Sequence, residues 1–235
     1  MADIIPAIMP KNFADLEKYA DQFRGLVDTV QIDVMDGKFV PETSWPYTGD
    51  GLLDDTFLKI VGQERRLPEQ DSLNYEFDLM VTDPEKTMKS WTQIGAHRVV
   101  FHLESIKDIE WFWKNLAHIK TSTEFLGIPS VEIGLAIDIE TSNEEIYPYV
   151  DRIDFVQCMG ITKIGFQGES FNEQVLYKVT DLRKRFSELI ISVDGGVSLE
   201  IATRLISAGA NRLVSGSAIL KSENIETTIE KFKKL

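Results

Sequence analysis

Amide and carboxylate side chains recur toward the ends of short apolar runs: Gln31 and Asp33 in Thr29 to Met35, Asp78 in Asn74 to Val81, and Asp194 closing Leu189 to Asp194. Residues two apart on a strand point to the same side, so Gln31, Asp33 and Met35 share one face, as do Asp78 and Met80 on the next run. A carboxylate on a buried strand is costly unless it is paired, hydrogen-bonded or bound to a cation. One strand-end aspartate is as readily a cap or a loop brace. Three of them on separate strands, able to converge on one rim, point instead to proton transfer or cation binding. His102 and Glu104 in Arg98 to Glu104, and Asp138 closing Glu132 to Asp138, extend the same pattern.

Glycines carry a second signal. Asp194-Gly195-Gly196 and Ser215-Gly216-Ser217 follow two late apolar runs, and Gly165-Phe166-Gln167-Gly168 follows Asp154 to Met159. Glycine lets a ligand approach the backbone closely, and backbone N–H groups at such turns hold phosphate. Each motif alone is an ordinary turn. In this order, Gly195, Gly196, Gly216 and Ser217 read as a phosphate cradle, with Gly165 and Gly168 on a loop that closes over it.

These groups need a frame. The runs above, together with Asp3 to Met9 and Arg212 to Ile219, make eight candidate strands of β-branched and aliphatic composition. Helical spacing follows most of them, at Phe13 to Phe23, Pro84 to Ile94, Ile106 to Ile119, Phe171 to Phe186, Ser198 to Ser207 and Glu223 to Leu235, with a weaker segment at Asn143 to Val150. Strand and helix alternating eight times predict an α/β fold, a single (β/α)8 barrel domain spanning residues 1–235, whose site lies at the C-terminal ends of the strands. The connections Lys38 to Leu73 and Lys120 to Val131 are long, as lids and contact surfaces are.

The composition agrees with an enzyme-sized globular chain: 235 residues, 43% hydrophobic and 10% aromatic. A formal charge of −13 argues against a nucleic-acid partner, which needs a basic face, but is compatible with a small anion held by backbone N–H groups. The lone Cys158 cannot form an internal disulfide, the N-terminal stretch lacks a signal-peptide layout, and no apolar run is long enough for a membrane span. A cytoplasmic protein with no membrane partner is expected. Trp111 and Trp113, two apart on a helix, cannot both face the core, so a homo-oligomer contact at one of them is an open alternative.

Gln31-Ile32-Asp33-Val34-Met35-Asp36-Gly37-Lys38-Phe39-Val40-Pro41 resembles the ribulose-phosphate 3-epimerase signature, in which a His precedes an Asp-x-Met-Asp-Gly-x-Phe-Val-Pro run. Phe77 to Val81 is similar to that family's His-Leu-Met-Val strand and Phe101 to Glu104 to its Phe-His-x-Glu strand. Gly165 to Phe171 is similar to its lid, Val193 to Gly196 to its Val-Asp-Gly-Gly, and Val214 to Ile219 to its phosphate loop. The likeness runs in order from Ile5 to Leu220. It implies a barrel of the ribulose-phosphate-binding type acting on a phosphorylated sugar, a ketose phosphate. It also implies Asp33 and Asp194 as the acid and base that move the C3 proton through an enediolate, a divalent metal, and an apolar lining of Met35, Met80 and Met159.

Departures from the pattern cluster at the reacting end. The family's two metal-ligand histidines are Gln31 and Asp78, its substrate-contacting Ser is Ala7, and the lid carries Ile164, Gln167 and Glu169 for Pro, Gly and Gln. A set of Gln31, Asp33, Asp78 and Asp194 is all-oxygen and favours Mg²⁺, Mn²⁺ or Ca²⁺ over Zn²⁺; the alternative is a metal-free site with at least one carboxyl protonated near neutrality. Three functions follow: a sugar-phosphate 3-epimerase, a binding protein that kept the cradle and lost catalysis, and, last, a decarboxylase or aldolase of the related barrels. Asp33-Val34-Met35-Asp36 lacks the lysine of those enzymes, and Lys163 is the nearest cation to the lid. His97 and His118 fall in or beside helices and read as surface residues, whereas His102 reads equally as a residue that orients the carboxylates and as a hydrogen-bonded histidine of the barrel interior.

Overall fold

The computed structural model describes residues 2–49, 51–125 and 131–235, and the side chains of these except 118–125. His118 and residues 126–130 of the second long connection therefore lie outside the side chains and residues described. The strands are β1 (Asp3–Ile8), β2 (Thr29–Met35), β3 (Asn74–Met80), β4 (Arg98–His102), β5 (Glu132–Ile137), β6 (Phe155–Met159), β7 (Ile190–Asp194) and β8 (Arg212–Ser215). They pair in parallel in sequence order, and β8 returns to β1 to close the barrel.

Alternation along each strand divides the chain into two environments. Val30, Ile32 and Val34 of β2, Tyr75, Phe77 and Leu79 of β3, and Val156 and Cys158 of β6 join one large apolar cluster with the helices. The intervening residues form the barrel interior, where apolar groups such as Val100, Ala136, Phe155 and Met159 sit among many polar ones. Closure brings β2 and β3 into a register that pairs Gln31 with Glu76, Asp33 with Asp78 and Met35 with Met80. Neighbouring strands thus stack the same polar layers that alternation selects on each strand alone.

The surrounding helices are α1 (Phe13–Phe23), α2 (Asp55–Val61), α3 (Met88–Gln93), α4 (Ile109–Phe125), α5 (Gln174–Arg185), α6 (Leu199–Ala208), α7 (Ser217–Leu220) and α8 (Ile225–Lys233). Asn12, Ser198 and Asn224 cap α1, α6 and α8 with side-chain acceptors, which satisfies N–H groups that the first turn leaves free.

Several boundaries differ from the sequence reading. The connection 38–73 contains α2, begun by Asp54, whose carboxylate accepts from the N–H groups of Thr56 and Phe57, and anchored by the buried Phe57 and Ile60. The segment from Pro84 splits into a 3-10 turn, Pro84–Lys86, and α3, and α4 starts at Ile109 but runs past Lys120 to Phe125. Between β5 and β6 the chain forms only the 3-10 segments Asn143–Glu145 and Tyr147–Arg152, where Pro148 lacks the N–H an α-helix interior needs. Glu104 lies on a 3-10 turn beyond β4, and β8 ends at Ser215, so 217–219 belongs to α7. Trp113 is buried and Trp111 is 41% exposed.

The barrel floor, at the end away from the C-terminal rim, is ionic. Arg98 reaches Glu76 at 3.4 Å and Glu132 at 3.1 Å, and Arg212 reaches Glu132 at 2.9 Å. The guanidinium of Arg212 also lies 4.7 Å from the centre of the Phe155 ring. That ring fills the space a side chain at Gly134 would take, since a Cβ there would stand 2.4 Å from it. Burial lifts the Glu76 carboxyl to about 7 against the opposing pull of Arg98 and Arg212. Removing a partner from such a network strands a charge, whereas neutralising the acid does not. Arg98→Met is therefore expected to destabilise the fold by about 3 kcal/mol in urea unfolding, and Glu76→Gln by under about 1 kcal/mol. Equal losses would contradict this view of the floor.

Candidate active site

At the C-terminal ends of the strands the sequence-selected carboxylates come together. Oxygen atoms of Asp33, Asp78 and Asp194, from β2, β3 and β7, lie within 4.8 Å of one another. Gln31 sits beneath them, fully buried, and its amide nitrogen donates to Asp33 Oδ1 at 2.7 Å and to Asp194 Oδ2 at 2.8 Å. Its carbonyl oxygen, Oε1, is buried without a hydrogen-bond partner among the described residues. One neutral amide thus ties together two acids from opposite parts of the chain.

Asp78 is held from the other side. His102 Nε2 lies 3.1 Å from Asp78 Oδ1, and the Gln157 amide donates to Asp78 Oδ2 at 3.2 Å. Ser192 donates in turn to Gln157 Oε1 at 3.3 Å. The second nitrogen of His102 stands 3.6 Å from Asp138 at the rim. Burial opposes a charge on His102, but Asp78 and Asp138 outweigh it and hold the imidazole well above its usual range. Sequence reasoning did not single out Gln157, Ser192 or Glu76. The signal was present, because each lies two residues before a selected one, Met159, Asp194 and Asp78, on the same strand face.

Burial and the mutual repulsion of the acids raise two carboxyls. Desolvation, then Asp194 and Asp78, push Asp33 well above the carboxylate range, and desolvation with Asp78 brings Asp194 to about 7; hydrogen bonds from Gln31 work against both. With no cation between them, the pair therefore retains a proton near neutrality. That protonation supplies one group able to give a proton and one able to take it.

Backbone position is fixed by the loop after β2. Ser44, 2% exposed, donates to the Asp33 carbonyl at 2.6 Å and accepts from the Met35 N–H at 2.9 Å. Asp36 accepts from the N–H groups of Lys38, Phe39 and Thr82, so it braces two loops.

Above the acids lies a cleft open to solvent. Its walls include Ala7, Asp33, Met80, Met159 and Asp194, and one end is glycine-rich, with Gly165, Gly168, Gly195, Gly196, Gly216 and Ser217. Gln31 and Asp78 lie below the wall. Met35 does not border the cleft and instead packs with Val40 and Met80. At Gly196, with φ +69°, a Cβ would stand 2.6 Å from Phe171 Cα, so the backbone there tolerates no side chain. Lys221 Nζ lies 3.5 Å from the position of a Cβ on Gly168, which places a cation at this end. A second acidic group, His102, Glu104 and Asp138, lies beside the first at the rim. His97 is remote from the cleft, its N–H bonded to Tyr75 at the start of β3.

The barrel has known counterparts. Among solved structures, KGPDC from Streptococcus mutans superposes with a TM-score of 0.65 over 100% of this chain and 96% of its own, at 16% identity. The 3-hexulose-6-phosphate synthase of Salmonella typhimurium does so with 0.66 over 99% and 97%, at 12% identity. At such identities the likeness is one of fold. Sequence relatives go further. Ribulose-phosphate 3-epimerase of Schizosaccharomyces pombe is 30% identical over 97% of this chain and 91% of its own length. The chloroplastic ribulose-5-phosphate-3-epimerase of Arabidopsis thaliana is 31% identical over 99% and 77%. The family model described as Ribulose-phosphate 3 epimerase family matches residues 3–220, which takes in every strand of the barrel and both ends of the cleft, and this chain belongs to that family.

Proposed function

We propose that this protein is a sugar-phosphate 3-epimerase in which Asp33 and Asp194 exchange the proton on C3 of a ketose phosphate. The observation that supports it best is the acidic pair, held at one strand rim by a single amide and facing a cleft whose far end is lined by glycines. The phosphate group sits at Gly195, Gly196, Gly216 and Ser217, where backbone N–H groups meet an anion without a side chain intervening. Gly165 and Gly168 bring the lid over it, and Met80 and Met159 exclude water beside the reacting carbon.

The ionised member of the pair takes the C3 proton, the C3 electrons move into the bond between C2 and C3, and the carbonyl oxygen gains the charge. The protonated member returns a proton to C3 from the other face, which inverts that centre. In the reverse direction the two exchange roles. A pair whose affinities for the proton are raised by burial toward neutrality suits both tasks.

The family implies a divalent metal, and the residues fit one. Three carboxylates within 4.8 Å offer oxygen donors only, and the buried, unpartnered Gln31 Oε1 joins them once the amide turns its nitrogen away from Asp33 and Asp194. Such a set suits Mg²⁺, Mn²⁺ or Ca²⁺ better than Zn²⁺. Gln31, Asp33, Asp78 and Asp194 would hold such a cation, which would supply positive charge for the oxygen on which negative charge develops. A second reading, a sugar-phosphate-binding protein without turnover, draws on the same site: Gln31 and Asp78 replace the histidines that the family resemblance leads one to expect, and Ala7 offers no hydroxyl.

Turnover of ribulose 5-phosphate to its C3 epimer separates the two. Asp33→Asn and Asp194→Asn are each expected to lower kcat by about 10³-fold, with ligand affinity largely retained. Tight binding without turnover by the unaltered protein favours the binding reading.

Stability provides an independent check. Asp33 and Asp194 hold protons in the folded state that carboxyls with the ordinary value of 3.8 release on unfolding. Their raised folded-state values favour the fold at low pH, and that advantage is lost as pH rises through about 7. In chelator the melting temperature should fall by roughly 5 °C between about pH 5.5 and about pH 8, and Mn²⁺ should restore it at the higher pH. A melting temperature flat across that window, in wild type and Asp194→Asn alike, contradicts the assignment.

A further inference from the structure

Gln167 stands in the lid loop after β6, half-buried, on the wall of the cleft. Its amide nitrogen donates to the Ala7 carbonyl oxygen at 3.3 Å. The same nitrogen lies 3.1 Å from where a Cβ on Gly216 would be, so any larger residue at 216 would press on the amide. In the strand register Ala7 pairs with Gln31 of β2, and Pro6 with Ser215 of β8. The amide therefore hangs over β1, between the strand that ends in the glycine loop and the strand that bears Asp33. Any ligand spanning these two ends passes beside it.

Of the neighbouring wall residues, Ala7 and Val214 offer no side-chain hydrogen bond. The remaining N–H of Gln167 and its Oε1 have no hydrogen-bond partner among the described residues. An amide with one donor and one acceptor free matches a hydroxyl group, which both accepts and donates. A fully ionised phosphate or a carboxylate offers only acceptors, so the accepting half of the amide favours a group that also donates, as the hydroxyls of a sugar do.

We propose that Gln167 is the residue with which the lid reads the hydroxyl-bearing carbons of the sugar, between the phosphate and the reacting centre. The inference rests on the reading of the cleft as a sugar-phosphate site, and it adds a specificity-determining contact that comes from the lid rather than from a strand end. The contact is a binding one. It acts on how the sugar is held and leaves the proton transfer to the acidic pair.

Gln167→Ala and Gln167→Gly test it, with calorimetric binding of ribulose 5-phosphate and of inorganic phosphate measured beside steady-state kinetics. The dissociation constant and KM for ribulose 5-phosphate are expected to rise about tenfold, with kcat changed by less than about threefold and phosphate affinity by less than about twofold. An equal loss of phosphate affinity would mean that Gln167 merely latches the lid; faster tryptic cleavage after the exposed Lys163 would accompany it, and the proposal would fail. Unchanged sugar affinity would also overturn it. If the unaltered protein binds ribulose 5-phosphate without epimerising it, the tenfold change in binding keeps Gln167 in its role while the epimerase reading falls. If it binds none, both fall.

Discussion

Three carboxylates packed into a water-poor barrel repel one another, and the surrounding residues are arranged to tolerate that repulsion. Two unit charges about 4 Å apart at the effective dielectric of a protein surface region interact by about 4 kcal/mol, so Asp33, Asp78 and Asp194 cannot all be charged without compensation. The structure offers three kinds of relief. Gln31 donates to two of the acids, His102 sets a positive charge against the third, and the raised affinity of Asp33 and Asp194 for a proton removes part of the charge altogether. Under the proposed function a divalent cation would be the fourth, since the three carboxylates lie within 4.8 Å of one another.

The barrel makes this cluster tolerable by segregating it. Apolar residues of the same strands face outward into one continuous core with the helices, and that burial stabilises the fold while the interior is left to polar work. Two polar layers result. The lower, Glu76 with Arg98, Glu132 and Arg212, is charge-balanced and braces the floor. The upper is acid-rich and faces the cleft. Because side chains alternate with period two, Glu76 and Asp78 fall in different layers of one strand, with their counter-charges supplied by different neighbours.

Strand positions could be read from sequence because they depend on local composition: runs such as Thr29 to Met35 and Asn74 to Val81 alternate apolar residues (Val30, Ile32 and Val34; Tyr75, Phe77 and Leu79) with polar ones at strand spacing. The acids and the glycine loops could be read for the same reason, since each sits at the end of such a run. What sequence did not disclose is set by tertiary partners. The short α2 depends on Asp54 as cap and on Phe57 and Ile60 finding the core. Helix α4 continues well past the last apolar residue used to end it. Ser44 and Gln157 act through contacts with distant strands, and nothing about either residue type marks them out. The departure of Gln31 from a family histidine was visible, but its bridging of Asp33 and Asp194 needed β2 and β7 to be brought across the barrel.

On this account the lid, the glycine end and the metal-ready oxygens all serve one event at C3 of the sugar. Incubating ribulose 5-phosphate with the protein in D₂O and following the C3 hydrogen by proton NMR observes that event without relying on any coupled assay. The account predicts loss of the C3 signal in both epimers, with no exchange at the other carbons, and in Asp33→Asn exchange confined to the epimer whose C3 proton faces Asp194, without interconversion. A ligand that is demonstrably bound yet keeps its C3 proton indefinitely would contradict it.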